Sequence, residues 1–163
     1  VIHKTTHFTK EEMEGISKGF AGVDDIELLQ IQEFTSWRAI RFQNENAALF
    51  PIQRGTVIPL DKDTFLVWTH GSVQHDELAG RKLNYYKNGR GIPAPLLVKR
   101  FMGKSSAEEL VNEILMLTKM NWNSGDGLYK ILPVTLDFAK TLSRVAKQDL
   151  VVYDRPYDFR YFM

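Results

Sequence analysis

The sequence predicts a mixed α/β fold, with strands and flanking helices in layers rather than a helical bundle or a β-sandwich. The first reason is the order of elements, which reads as strand, helix, several strands and then two helices. The second is composition: over 163 residues, 44% are hydrophobic, 25% charged and 12% aromatic. That is ordinary globular usage, enough for one real core and far from the low-hydrophobicity regime of disorder. A third is the lack of any apolar run near the roughly 20 residues that span a bilayer. No signal-peptide pattern precedes the fold either, so a membrane protein is not expected.

The elements follow in order. Val1 to Thr5 alternates weakly from an apolar start and reads as a strand that enters already inside a fold. With no initiator Met, a segment of a longer protein is expected. Thr9 and Glu12 form a capping-box pattern, and Met13, Ile16 and Phe20 recur at helical spacing, which predicts a helix from Lys10 to Phe20. After the turn at Asp24 and Asp25, Ile26 to Phe34 has strand-like apolar density, and Trp37 to Phe42 alternates as a second strand. Thr56 to Pro59 and Thr64 to Thr69 flank Leu60 to Asp63 as a hairpin. From Gly71 to Gly91 no period persists, and Gly80 and the run Asn88 to Gly91 mark loops. Pro95 to Phe101 resumes as a strand. Ser105 and Glu108 form a second capping box, ahead of a helix carrying Leu110, Val111, Ile114, Leu115 and Leu117 towards Trp122. A glycine-containing loop from Asn123 to Tyr129 leads to Pro133, a residue suited to a helix start. Leu136, Ala139, Leu142, Val145 and Ala146 then give an amphipathic helix, and the tail from Val151 to Met163 is rich in Tyr, Phe and Arg.

Charge and residue types narrow the chemistry. Lys plus Arg number 21 against 20 for Asp plus Glu, a formal charge of +1, which excludes binding of polyanions by bulk charge. The charge is uneven, however. Leu78 to Ala107 holds Arg81, Lys82, Lys87, Arg90, Lys99, Arg100 and Lys104 and no acidic residue, with Tyr85 and Tyr86 among them. Rings among cations suit stacking on unpaired bases with phosphate neutralisation; a solvated loop balanced by acidic neighbours in space fits the composition equally well. Cysteine is absent, so disulfides, thiolate metal sites and Cys nucleophiles are excluded. That composition fits a reducing compartment, and the cytoplasm is the expected location. His3 and His7 have no third ligand near them in sequence, and His70 with Gly71 at a strand end could face a ligand. Asp24 with Asp25, Asp61 with Asp63 and Glu108 with Glu109 are explained by turns and helix starts. No nucleophile triad, phosphate-cradling Gly-Lys-Thr loop or dinucleotide fingerprint occurs.

Four strings in register carry a resemblance: Val1 to Phe8 (VIHKTTHF), Gln53 to Thr56 (QRGT), Leu117 to Asn123 (LTKMNWN) and Leu132 to Lys140 (LPVTLDFAK). Together with the tail, they resemble the C-terminal part of the PIWI domain of prokaryotic Argonaute proteins across nearly the whole chain. The resemblance implies an RNase H-like PIWI fold for residues 1–163, with the MID domain and the first half of PIWI outside this chain. It implies partners as well: a single-stranded guide RNA or DNA, its complementary target, and in some relatives an effector subunit. The Lys4 region resembles the segment that approaches the guide backbone. His70, Gly71 and Gln74 resemble the strand-end loop along the seed, although the family pattern spaces its His and Gly differently. Lys119 and Lys130 resemble basic positions near the guide 5′ phosphate. The ending Arg160 to Met163 resembles the family's C-terminus, whose carboxylate, here on Met163, would reach a Mg²⁺ bridging to that phosphate.

Slicing relatives cut their target with an acidic two-metal site. Its early acidic positions are expected before Val1, and its last falls at Asn121, where catalytic relatives carry Asp or His. An amide can ligate a metal but cannot act as a base, so the expectation is a domain of a prokaryotic defence protein that binds without cutting. The alternatives are part of a metal-dependent slicer or an effector-recruiting scaffold.

Overall fold

The computed structural model describes residues 1–33, 35–72, 91–120 and 130–147. Its first strand, β1 (Ile2–Lys4), is followed by α1 (Lys10–Gly19) and β2 (Leu28–Gln32). A small hairpin of β3 (Phe42–Gln43) and β4 (Asn46–Ala47) precedes β5 (Val57–Pro59) and β6 (Thr64–Val67). The remaining elements are β7 (Leu96–Met102), α2 (Ala107–Leu117) and α3 (Val134–Ala146). The expected mixed α/β architecture is thus observed. Among the described residues, no helix is long and apolar enough to cross a membrane.

One five-stranded sheet organises the molecule, in the order β1-β2-β7-β6-β5. β1 and β2 pair in parallel, while β2–β7, β7–β6 and β6–β5 are antiparallel. It follows that β1, β2 and β6 all point their C-terminal ends the same way. Side chains two apart on a strand share a face. Leu29 and Ile31, Leu96 and Val98, and Phe65 and Val67 therefore line one face, with Ile31, Val98 and Phe65 in register across three strands. Leu110, Val111 and Ile114 of α2 and Leu132 and Leu136 at the start of α3 close over that face as the core. The opposite face carries Phe101, against which Phe8 packs at 5.5 Å and the His7 ring stands edge-on at 4.6 Å.

Local chemistry explains the ends of the elements. Thr9 accepts the Glu12 amide while the Glu12 carboxylate accepts the Thr9 amide, completing the expected capping box of α1. In α2 the box shifts by one residue from expectation: Ser106 and Glu109 form it, not Ser105 and Glu108. Ser105 is already engaged, because its amide donates to Glu27 and its carbonyl accepts from Arg100. α2 ends at Leu117 with Thr118 as its C-cap, and the continuation expected to Trp122 lies outside the described residues, as does the loop 123–129. Pro133 is the N-cap of α3, as its restricted φ favours. The β5–β6 hairpin is the expected one. At its tip the Asp61 carboxylate accepts the Asp63 amide at 2.8 Å, which holds that carboxyl below its usual range.

Trp37 to Phe42 is not the strand that its alternation suggests. Only Phe42–Gln43 pairs, with Asn46–Ala47, and the segment before it leaves the sheet. A guanidinium explains the departure: Arg38 Nη1 donates to the carbonyls of Thr35 and Trp37, both at 2.7 Å, and so takes up groups that a strand partner would need.

Candidate nucleic-acid interface

Beyond β6 the chain is stitched to the segment before β5. The Gly55 amide donates to Trp68, the Trp68 amide to Thr56 and the Arg54 amide to Ser72, at 2.8 to 3.0 Å. Ser72 returns its amide to Ile52 and its hydroxyl to Pro51, and Gln53 and Ser72 form a parallel bridge. Gly71 lies inside this clasp at φ +149°, where a Cβ would overlap the Ile52 carbonyl oxygen. Glycine is therefore required there by the backbone alone.

The same clasp holds both flanks of the 121–129 segment. Arg54 Nη2 donates to the Leu115 carbonyl at 2.9 Å and to the Thr118 hydroxyl at 2.7 Å. A cation at the C-terminus of α2 satisfies its unpaired carbonyls and its dipole. Thr118 also accepts the Lys130 amide at 3.1 Å, and the buried Thr69 hydroxyl donates to the Ile131 carbonyl at 2.7 Å. His70 and Gly71, Lys119 and Lys130 are thereby brought to one hydrogen-bonded junction at the end of the sheet. Arg54 and Thr118, which build it, carry no local sequence signal for that role; Leu115 and Thr118 lie 61 and 64 residues from Arg54 in the chain.

Lys4 is elsewhere. It sits in register with Gln30, Lys99 and Thr64, three strands across from β6 and six residues short of His70. That places it roughly 14 Å sideways and, along an extended chain, roughly 20 Å back. Its ammonium pairs with Glu12, donates to the His7 carbonyl at 3.1 Å and lies 5.3 Å from the Phe8 ring centroid. Lys4 thus ties α1 to the sheet edge. Of the basic stretch, Lys99 lies over Phe101, Arg100 holds Ser105 and Asp63, and the Lys104 amide donates to Glu27. Arg81, Lys82, Lys87 and Arg90 with Tyr85 and Tyr86 lie outside the described residues, as do Gln74, Asn121 and Met163.

His3 faces the start of α3, with Nδ1 2.8 Å from the Thr135 hydroxyl. Burial, with a smaller contribution from the positive amino terminus, lowers its pKa to about 4. It is therefore a neutral packing group at ordinary pH. Neither it with His7 nor any other group of three or more His, Asp or Glu among the described residues has the arrangement to hold a metal.

No protein-family model matches this sequence, and no curated protein matches it either. Solved structures do match. Clostridium butyricum Argonaute bound to a guide DNA and a 19-mer target DNA superposes with a TM-score of 0.64 at 15% identity, over 89% of this chain and 17% of that one. Aquifex aeolicus Argonaute gives 0.62 at 20% identity over 95% and 19%. Aa-Ago with externally bound siRNA gives 0.58 at 19% identity over 91% and 18%. The chain spans less than a fifth of these structures, and over that span its fold is theirs. The PIWI-like α/β fold that the four strings imply is the fold observed.

Proposed function

We propose that this chain is the C-terminal part of a PIWI domain and helps to hold the 5′ end and seed of a nucleic-acid guide, binding its target without cutting it. The observation that carries this reading is the junction of His70, Gly71, Lys119 and Lys130, built by Arg54 and Thr118 on an Argonaute fold. Its chemistry suits a terminal phosphate, which bears more charge than an internal one and is met by clustered cations. A MID domain elsewhere in the protein would supply the rest of the pocket. Met163 would offer its carboxylate to a Mg²⁺ bridging to the phosphate, since hard oxygen ligands suit that ion. Asn121 at the last catalytic position supports binding without cleavage, because a neutral amide supplies neither charge nor a base.

The test uses the full-length protein and single strands of DNA and RNA that differ only in a 5′ phosphate or 5′ hydroxyl, with Mg²⁺ or EDTA. The phosphorylated strand should bind more tightly, Mg²⁺ should widen the gap, and Lys119→Ala with Lys130→Ala should narrow it. Equal affinity for the two strands would overturn the 5′-end assignment. Cleavage of a labelled complementary target in Mg²⁺ or Mn²⁺ would overturn the binding-only part.

A further inference from the structure

The β3–β4 hairpin turns an apolar face away from the rest of the fold. Phe42 pairs with Ala47, and the next rung is fixed by the Ala48 amide, which donates to the Arg41 carbonyl at 2.8 Å. Side chains alternate along each strand, so Arg41 and Ala48 face inward, where Ala48 is buried, and Phe42 and Ala47 face outward. Ile40 and Leu49 are the following rung in the same register and fall on the outward side again. Their exposure agrees: Phe42 is 66% exposed, Leu49 57% and Ile40 50%. These four side chains form one apolar patch centred on the Arg41–Ala48 rung, and a contiguous exposed patch of this kind marks a contact surface.

The charges at the two ends of the patch select its occupant. Arg38 lies three residues before the central rung and Glu45 about as far beyond it, at the hairpin tip, so each stands roughly 10 Å from the centre along an extended chain. Both are exposed, and neither has an ion-pair partner among the described residues. Glu45 is held there against backbone preference. Asn44 and Glu45 have φ of +50° and +66°, as in a two-residue hairpin turn whose second position ordinarily takes glycine. A carboxylate kept at a strained tip with no partner among the described residues points to a use outside its own chain. When a second copy is turned about a two-fold axis lying across the hairpins at the central rung, tip lies over base. Phe42 then meets Ile40 of the second copy, Ala47 meets Leu49, and Glu45 meets Arg38, each contact made twice as a self-complementary interface requires. The chain's net charge of +1 puts little repulsion between the copies.

We infer that two copies of the protein associate through the outward faces of their β3–β4 hairpins, about a two-fold axis that sets Glu45 of each against Arg38 of the other. Four side chains offer less than the roughly 800 Å² per partner that a stable complex buries. The association is therefore reversible, and dilution undoes it.

Sedimentation velocity of the full-length protein without nucleic acid, over a wide range of concentration, should show the mass moving from monomer to dimer. Glu45→Arg and Arg38→Glu should each raise the dimer Kd by about 10-fold, since each sets like charges together twice. Mixing the two variants should restore the parental association, because both reversed charges then face their opposites. Phe42→Ser should abolish the dimer and leave the unfolding temperature of the monomer unchanged, because this side chain lies outside the core. Glu45→Gly separates contact from fold: it relieves the positive φ and should raise the unfolding temperature while weakening the dimer, a split that a merely structural Glu45 would not give. The inference is overturned if the parent stays monomeric at every concentration, if Phe42→Ser or either charge reversal dimerises as the parent does, or if the mixture stays dissociated. A monomeric parent whose Phe42→Ser variant unfolds at a lower temperature shows that another part of the full-length protein covers the patch, which overturns it as well. None of these outcomes bears on the guide-strand reading, which is tested with strands.

Discussion

Gly71 combines two constraints that only a glycine can meet, a φ of +149° and a missing Cβ where the Ile52 carbonyl oxygen lies. Gly71→Ala should therefore cost about 1–3 kcal/mol in urea unfolding, the usual range for a residue forced into a sparsely populated conformation. Because Gly71 lies in the clasp, the same substitution should also weaken 5′-phosphorylated strands. His3 makes a different prediction, one of pH. Its folded pKa of about 4 lies below the ordinary 6.5, so between those values the unfolded chain binds more protons than the folded one. The stability it contributes is complete above pH 6.5, falls as pH drops towards 4 and loses nothing further below. Allowing for partial solvent contact, the loss is of order 2 kcal/mol. His3→Gln should flatten the pH dependence of urea midpoints between pH 6.5 and 5, above the range in which ordinary carboxylates titrate.

At the scale of elements, the two consecutive serines before α2 allow a sharp test. Ser106→Ala removes the cap and should cost about 1 kcal/mol, whereas Ser105→Ala leaves the capping box intact and should cost less, since its contacts are through backbone atoms. Chemical denaturation of the two variants side by side reads the difference. The sequence alone could not choose between them, because Ser-Ser and Glu-Glu offer the same box in two registers. Glu27, 78 residues away, decides the matter by taking the Ser105 amide. The Thr9–Glu12 box had no competing register and was legible. So were β6 and β7, whose apolar runs are long enough to be buried on the core side. Trp37 to Phe42 misled because alternation is a local property whereas a strand needs a partner edge, and Arg38 removes the carbonyls that such an edge would use. The candidate site divides in the same way. His70, Gly71, Lys119 and Lys130 were singled out by the family resemblance, and the structure brings them to one junction. Arg54 and Thr118, which build that junction, lie in two of the four strings, but nothing local to either shows that they bond to each other across 64 residues.

For the whole molecule, the near balance of charge means that no long-range field of this chain draws a polyanion in. Attraction has to come from cations concentrated at particular places, and the fold spends several of its cations internally. Lys4 holds Glu12, Arg100 holds Asp63 and Ser105, and Lys140 holds Glu33. Strand binding should accordingly depend on salt through a small, countable set of contacts. Each phosphate neutralised on a single strand contributes about 0.7 to the slope of log K against log salt. Removing Lys119 and Lys130 from the full-length protein should reduce the magnitude of that slope by about 1.4. A fluorescence-anisotropy titration between 50 and 200 mM salt, roughly the range in which such slopes are read, measures it. Lys4→Ala makes the contrasting case. Its ammonium is committed to Glu12 and the His7 carbonyl, so it should lower stability by breaking that tie and leave the salt slope of strand binding where it was. A slope that fell by a full contact in Lys4→Ala would instead place Lys4 on the strand and detach it from its role at the sheet edge.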